Sequence, residues 1–430
     1  MTASSTARPG SEGEPIEELA ADITAAQGFL AAGGTCGLKA SGRRDVGGVL
    51  STRLASAAGV FTTNKVKAAP VLVSQELLAR GRQAQGIVFN SGNANAATGA
   101  QGIEQARRMQ ALFAGGPARP YGAAAEQIFV ASTGVIGVQL DMAKLERGIA
   151  ALVLSREGGP AAVEAMMTTD TVPKVAAARF RLAPTPGASA DEAAVVTVAG
   201  MAKGAAMIAP HMATMLAFIG TDAAVEPHYL DRALRAAVDE SFNMIIIDGD
   251  MSTNDTTLLL ANGAAWPAGR EALDGTQPEC AAFETALRRV CMRLAQAIAR
   301  DGEGATKLIE VRIEGAASIE DARKVARSIA GSNLTKAAVL GADPNWGRIA
   351  CAAGYAGAAL DPDRFDIAIG DVLVVRGGLA TGYDPHAASA AMQGKEVRLW
   401  MHLHLGDGAA TAWGCDLTPE YVRLNSEYTT

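Results

Sequence analysis

A single threonine, Thr214, stands within an apolar run over residues 212–219. The pattern after Pro210 favours a buried strand, in which this threonine would hydrogen-bond a neighbouring backbone group. The alternative is chemical. If the chain cuts its own Ala213–Thr214 bond, Thr214 gains a free α-amine with a pKa of roughly 7.7–8.0. Nucleophile and base would then belong to one residue, and no catalytic triad would be needed.

Other chemical patterns in the sequence are weaker. No G-x-S-x-G elbow occurs, and the five cysteines include no C-x-x-C pair. The aspartates of residues 248–255 are spaced like a calcium loop, but Thr253 occupies the position that requires glycine and Leu259 the position that requires glutamate. Residues 301–307 lack the spacing of a phosphate-binding loop. The sequence therefore predicts no metal site.

Several stretches carry a resemblance to a known family. They are KGAAMIAPHMATMLAFIGTDA around Thr214, NSGNANAATG, STGVIG, MTTDTVPK, DGDMSTNDT, RDGEGATKLIEV, GADPNWGRIA and the terminal YVRLNSEYTT. In this order they resemble the ornithine acetyltransferase (ArgJ-type) family, whose members cut themselves before the threonine of an Ala-Thr-Met-Leu motif. The resemblance covers residues 28–430. It implies an α/β (α+β) fold of layered sheets covered by helices, with an N-terminal-nucleophile architecture like that of DmpA and ArgJ.

The resemblance also implies an activity and a set of site residues. The activity is acetyl transfer from N2-acetyl-L-ornithine to L-glutamate in arginine biosynthesis, through an acetyl ester on Thr214 and without a cofactor. Thr133 and Gly134 would form the oxyanion hole, and Ala213 would precede the cleaved bond. The residues expected to bind the amino-acid substrate are Thr171, Lys203, Thr214, Glu303, Asn425 and Thr430.

Two alternative activities stay open. One is a bifunctional form that also takes acetyl-CoA as co-substrate, and the other is a related N-terminal-nucleophile aminopeptidase. His211 and the pair Ala205-Ala206 depart from the usual family residues beside the cleavage strand, so cleavage or substrate choice could differ.

The elements that must position these residues are visible as local patterns. Residues 86–90 and 127–131 read as buried strands, and the second leads directly to Thr133. Residues 175–183 and 193–199 read as paired strands. Helices are predicted over 100–114, 228–242 and 279–300, the last with a clear apolar stripe. Residues 376–392 read as a surface loop.

Composition limits the partners and the organisation. The chain has 430 residues, a formal net charge of −7 and 49% hydrophobic residues. An acidic balance argues against nucleic acid or an anionic membrane as partner. We expect a cytoplasmic protein with a disordered tail over 1–27, an α chain over 28–213 and a β chain over 214–430. The family resemblance implies an α2β2 heterotetramer of these chains.

Overall fold

The structure, a computed structural model, describes residues 16–183, 193–209 and 215–427. A nine-stranded sheet forms one layer, in the order β1-β6-β7-β8-β10-β3-β4-β5, with β2 paired to β3. Its strands are β1 Glu17–Leu19, β2 Phe29–Gly34, β3 Val46–Phe61, β4 Gln83–Asn93, β5 Ile128–Val135, β6 Lys174–Arg181, β7 Val195–Lys203, β8 Leu216–Thr221 and β10 Thr256–Ala261.

A seven-stranded sheet forms a second layer, in the order β14-β13-β12-β15-β11-β16-β9. Its strands are β9 Ile245–Ile246, β11 Leu308–Ala316, β12 Asp366–Ile369, β13 Val372–Arg376, β14 Leu379–Ala380, β15 Glu396–His402 and β16 Gly408–Cys415.

Helices cover and separate the sheets. They are α1 Ala69–Gly81, α2 Gly99–Gly115, α3 Met142–Ala150, α4 Gly159–Met166, α5 Pro227–Asp239, α6 Glu279–Arg300, α7 Ile319–Gly331, α8 Asn333–Leu340, α9 Trp346–Gly354, α10 Pro385–Ala390 and α11 Pro419–Glu427. Helix α6 packs against both β7 and β16, so it joins the two layers. None of the helices in the described ranges is both long enough and apolar enough to span a bilayer.

The centre of the first sheet is buried on both faces, which explains its continuous apolar sequences. In β8, Phe218 points into one core and Ile219 into another, and both are fully buried. Strand β8 runs antiparallel to β7 and parallel to β10. The C-terminal end of β7 therefore lies beside the N-terminal end of β8, where Lys203 is paired with Leu216.

The predicted α/β fold of layered sheets covered by helices is confirmed. Helix α6 has the predicted bounds, and the pairing of β6 with β7 agrees with the prediction. Two predictions differ from the structure. Part of the predicted tail is folded, because Glu17–Leu19 pairs with β6 and Ile23 is fully buried. The predicted loop over 376–392 contains β14 and α10. The predicted chain boundary at 213/214 and residues 1–15 lie outside the described residues.

Candidate active site

Strand β5 carries Thr133 and Gly134 near its C-terminal end. The sequence prediction ended this strand at 131, but pairing with β4 continues as far as Val135. Gly134 has a φ of +131°, and a Cβ there would lie 2.4 Å from the backbone of Gly92. Only glycine tolerates both the backbone conformation and this close approach. The glycine thus lets two strands converge beside Thr133.

Lys203 ends strand β7 and reaches Thr133. Its Nζ donates a hydrogen bond to Thr133 Oγ1 at 3.3 Å, and both side chains are buried. Burial lowers the pKa of Lys203, while the carboxylate of Asp170 acts in the opposite direction. A buried ammonium requires such partners, because leaving it unpaired in a low-dielectric interior is costly.

Asp170 anchors the charge network behind Lys203. Its Oδ1 accepts from Lys174 Nζ at 2.6 Å and from the backbone N–H of Gly204 at 2.7 Å. Burial alone would raise the pKa of Asp170, but the ammonium groups of Lys203 and Lys174 outweigh burial and lower it to about 2. Lys174 also pairs with Asp301 at 2.6 Å. Asp170 therefore stays ionised and fixes the turn after β7.

A cavity of about 330 Å³ opens in front of Lys203 and Thr133. It is lined by Thr133, Gly134, Ile136, Thr168, Thr169, Lys203, Ala206, Met207, Asp248, Asp250, Met251, Ser252, Asn254, Glu303, Tyr421 and Asn425. The basic side chain of Lys203 and the acidic side chains of Asp248, Asp250 and Glu303 are among them. This suits a small zwitterionic molecule.

Glu303 and Asn425 form the side of the cavity contributed by the C-terminal half. Glu303 follows the end of α6, and its backbone N–H donates to Ala205 O at 2.8 Å. Asn425 lies on α11, and its Nδ2 donates to Glu303 Oε2 at 2.8 Å. The pair places one carboxylate and one amide at the mouth of the cavity.

The loop 248–255 forms another wall. Asn254 Nδ2 donates to Ala94 O at 2.7 Å and to Ser132 O at 2.8 Å, which ties this loop to the ends of β4 and β5. Asp248 accepts from the consecutive backbone N–H groups of Met207 and Ile208, at 2.6 and 2.8 Å. Burial raises the pKa of Asp248, although these N–H groups act against the rise. In the described residues, no group of three or more His, Cys, Asp or Glu side chains is arranged to hold a metal ion.

Five of the predicted site residues line this one cavity, namely Thr133, Gly134, Lys203, Glu303 and Asn425. Thr171 does not line it: its hydroxyl and its backbone N–H both donate to Asp301, while Thr168 and Thr169 reach the cavity instead. Ala213, Thr214 and Thr430 lie outside the described residues, so their predicted roles stay predictions.

Sequence reasoning missed Asn254, Asp248 and Tyr421. Residues 248–255 were tested from the sequence only as a calcium loop, yet a dense polar run between two buried strands is a signal that could have indicated a site. Tyr421 OH lies 3.4 Å from Asp248 Oδ2, a contact across 173 residues that no local pattern predicts.

Comparisons with known proteins give a consistent result. The sequence profile of the ArgJ family matches residues 30–430. The arginine biosynthesis bifunctional protein ArgJ of Symbiobacterium thermophilum is 50% identical over 419 residues, which cover 96% of this chain and 100% of that protein. Among solved structures, the bifunctional protein ArgJ of Bacillus halodurans is 46% identical with a TM-score of 0.47, over 49% of this chain and 98% of the solved chain. An ornithine acetyltransferase from Mycobacterium tuberculosis, solved with ornithine, is 39% identical with a TM-score of 0.40, over 46% and 98% of the two chains.

Proposed function

This chain belongs to the ArgJ family, and from that premise we propose that its cavity transfers an acetyl group from N2-acetyl-L-ornithine to L-glutamate in arginine biosynthesis. The observation that carries the proposal is the convergence of Thr133, Gly134 and Lys203 from one half of the chain with Glu303 and Asn425 from the other half. Met215, the residue after Thr214, donates its backbone N–H to Asp255 Oδ1 at 3.1 Å, and Asp255 directly follows the cavity residue Asn254.

The first half-reaction needs a nucleophile. We propose that the chain cuts the Ala213–Thr214 bond and that the freed α-amine of Thr214 takes the proton of its own hydroxyl. The hydroxyl oxygen attacks the acetyl carbonyl carbon, and negative charge develops on the carbonyl oxygen. Thr133 and Gly134 are proposed to donate hydrogen bonds to that oxygen. Lys203 Nζ donates to Thr133 Oγ1 at 3.3 Å, and its positive charge stabilises the developing negative charge.

Collapse of this intermediate breaks the bond to ornithine. The ornithine amine leaves with the proton held by the Thr214 amine, and an acetyl ester stays on the threonine oxygen. In the second half-reaction the amine of glutamate attacks the ester, a proton returns to the threonine oxygen, and N-acetylglutamate is released. One cavity serves both amino acids in turn, so the kinetics should be ping-pong.

Both substrates present amino-acid groups that the lining residues can bind. Lys203 suits a carboxylate, and the Glu303 carboxylate suits an ammonium group, with Asn425 holding Glu303 in place. Thr430 stays a proposed contact. Thr171 donates to Asp301 instead, and Thr168 and Thr169 of the same segment line the cavity.

The direct test is a short incubation with N-acetylornithine alone, followed by intact mass measurement. One acetyl group should appear on the fragment that begins at Thr214. With both substrates varied, double-reciprocal plots should be parallel. Intersecting lines, or an uncut chain that transfers acetyl at full rate, would contradict this mechanism.

A second activity is favoured by the name of the relatives, which are called bifunctional proteins. We propose acetyl-CoA as an additional acetyl donor for glutamate. The same assay with acetyl-CoA in place of N-acetylornithine tests this activity, and a chromogenic peptide amide tests for aminopeptidase activity. The assembly proposed for the cut chains is α2β2, which the mass in solution checks.

A further inference from the structure

Arg43 lies at the rim of the cavity. Its side chain is exposed, and its Nη2 donates to the backbone carbonyl oxygen of Thr168, a lining residue, at 2.9 Å. Among the described residues, no carboxylate forms an ion pair with Arg43, whereas the adjacent Arg44 is paired with Glu164 at 2.8 Å. A guanidinium carries several N–H donors in one plane, so a single contact leaves most of them available to a ligand.

The segment that Arg43 contacts is held at two further points. Lys39 Nζ donates to the carbonyl oxygen of Met167 at 2.6 Å, and the N–H of Thr168 donates to Asp170 Oδ2 at 2.9 Å. Asp170 is itself buried. The carbonyl group that accepts from Arg43 therefore has a defined position, and it gives the exposed guanidinium an anchor at the rim.

Arg43 belongs to a group of cations contributed by the N-terminal half of the chain. Burial and, after it, the positive charge of Arg43 lower the pKa of Lys39 to about 8. Lys203 adds to this effect, while Asp45 and Asp170 oppose it. Because Coulomb interactions weaken with distance, Lys39 lies in the field of both Arg43 and Lys203. The three cations thus form one electropositive region that reaches from the buried end of the cavity to its rim.

Acidic side chains face the same cavity from the C-terminal half, namely Asp248, Asp250 and Glu303. The α-amine of N2-acetyl-L-ornithine is acylated, so its one cation is the side-chain ammonium group, which suits these carboxyl groups. The side chain of glutamate ends in a carboxylate instead. With its α-carboxylate at Lys203, a glutamate side chain directed to the acidic wall would meet like charges, which disfavours binding there. The acceptor therefore needs a separate cation for its side chain.

We propose that Arg43 binds the side-chain carboxylate of glutamate in the second half-reaction. This inference rests on the proposed function. The planar guanidinium donates two parallel N–H groups to the two carboxylate oxygens, a pairing for which arginine is better suited than lysine. Lys203 keeps the α-carboxylate, so the two cations hold both ends of glutamate while its amine attacks the acetyl ester. N2-acetylornithine does not use Arg43, because its side chain ends in a cation.

The test compares Arg43→Gln with the wild type in each half-reaction. The introduced side chain is uncharged but keeps an amide donor. The rate at which N2-acetylornithine alone forms the acetyl ester should not change, because this donor makes no contact with Arg43. The KM for glutamate should rise about tenfold or more, which is the typical effect of losing a hydrogen bond to a charged group. Arg43→Lys keeps the charge without the paired donors and should recover part of the loss.

Free L-glutamine as acceptor separates recognition of the carboxylate from a general disturbance of the cavity. It has the length of glutamate but ends in a neutral amide, so the wild type should prefer glutamate in kcat/KM. In Arg43→Gln this preference should fall about tenfold or more, through the loss with glutamate. A structural role of Arg43 would lower transfer to both acceptors equally and leave the preference unchanged.

Arg44→Gln is the matched control. It removes the same charge one residue further along, but Arg44 is paired with Glu164 and donates to Gly33 O at 3.2 Å. The described lining of the cavity includes neither Glu164 nor Gly33. This variant should keep the wild-type KM for glutamate and the wild-type preference over L-glutamine. Thermal unfolding of each variant checks that it is folded.

An Arg43→Gln enzyme with the wild-type KM for glutamate, or with an unchanged preference between the two acceptors, overturns the inference. A rise in KM confined to acetyl-CoA overturns it as well, since the arginine would then serve the phosphate groups of that donor. The absence of an acetyl ester on Thr214 in the wild type overturns the proposed function instead, so the two failures are distinguishable.

Discussion

Lys203 Nζ donates to Thr133 Oγ1 at 3.3 Å, and both residues are buried at the ends of strands that are not neighbours in the sheet. The contact joins β7 to β5, which are separated by β8, β10, β3 and β4. An ammonium group that donates to a threonine oxygen orients the threonine hydroxyl hydrogen away from itself. The hydroxyl is therefore free to donate into the cavity, as an oxyanion hole requires.

Substitution of Thr214 by alanine should abolish both cleavage and transfer, because it removes the proposed nucleophile of both steps. A denaturing gel should show one chain of 430 residues, while the wild type shows two chains of similar length. Thr285→Ala on α6, whose hydroxyl donates to Ala281 O, should cut and transfer normally. Transfer at the wild-type rate by Thr214→Ala would remove the threonine from the mechanism.

Lys203→Met should lower kcat/KM by about 10²–10³-fold, which is the typical effect of weakening an oxyanion site. The methionine fills a similar volume but supplies neither the bond to Thr133 nor the positive charge. Steady-state kinetics with N-acetylornithine and glutamate measure the effect. Arg288→Met, which removes an exposed cation of α6, should change kcat/KM little. Unaltered kinetics in Lys203→Met would show that the contact plays no part in transfer.

Deleting residues 425–430 should leave cleavage intact and weaken substrate binding. Asn425→Ala isolates one part of this effect, because it removes the bond of 2.8 Å to Glu303. One lost hydrogen bond to a charged group is worth roughly 1.5–3 kcal/mol, so KM should rise about tenfold or more. Ser426→Ala, whose hydroxyl donates to Arg423 O, is the neighbouring control. A truncated enzyme with unchanged KM would exclude this segment from the site.

Gly134→Ala should reduce both stability and activity, because its Cβ would collide with the backbone at Gly92. The two strand ends would have to separate, which moves Thr133. Gly122→Ala also places a residue at positive φ, yet nothing lies within 4 Å of its Cβ. It should therefore show only a small loss of thermal stability with full activity. Equal effects of the two substitutions would mean that crowding at Gly134 is unimportant.

Asp170→Asn should destabilise the protein by ~3–5 kcal/mol near neutral pH, because Lys203 and Lys174 both lose a buried counter-charge and Lys174 is left with Asp301. Asp170 has a folded pKa of about 2, below the ordinary 3.8, so its ionised form stabilises the fold above pH 3.8 and that contribution is lost as pH falls toward 2. The difference in unfolding free energy between variant and wild type should narrow by about 2 kcal/mol over this interval. Glu240→Gln, at an exposed pair with Arg288, should cost under ~1 kcal/mol and show no such trend.

Local patterns predicted the elements of this fold better than they predicted the contacts of the site. Helix α6 was predicted with its correct bounds because its apolar stripe is long and regular. The extension of β5 through Gly134 was missed because it depends on pairing with β4, 42 residues away. Motif resemblance located five lining residues, but it could not show that Thr171 is bound to Asp301 or that Asn254 joins three segments. Those facts depend on contacts between distant residues.

The strand order affects how the cleaved enzyme would unfold and refold. Strands β8 and β10 follow the proposed cleavage point, yet they are enclosed between β7 and β3, which precede it. The two fragments would therefore share one continuous sheet, and neither could dissociate without breaking pairings on both sides of β8 and β10. Folding of the intact chain needs no encounter between molecules, whereas reassembly after heating would depend on the concentration of both fragments. Cleavage would thus make unfolding effectively irreversible at low protein concentration. The lifetime of the active enzyme would then be set by its rate of unfolding.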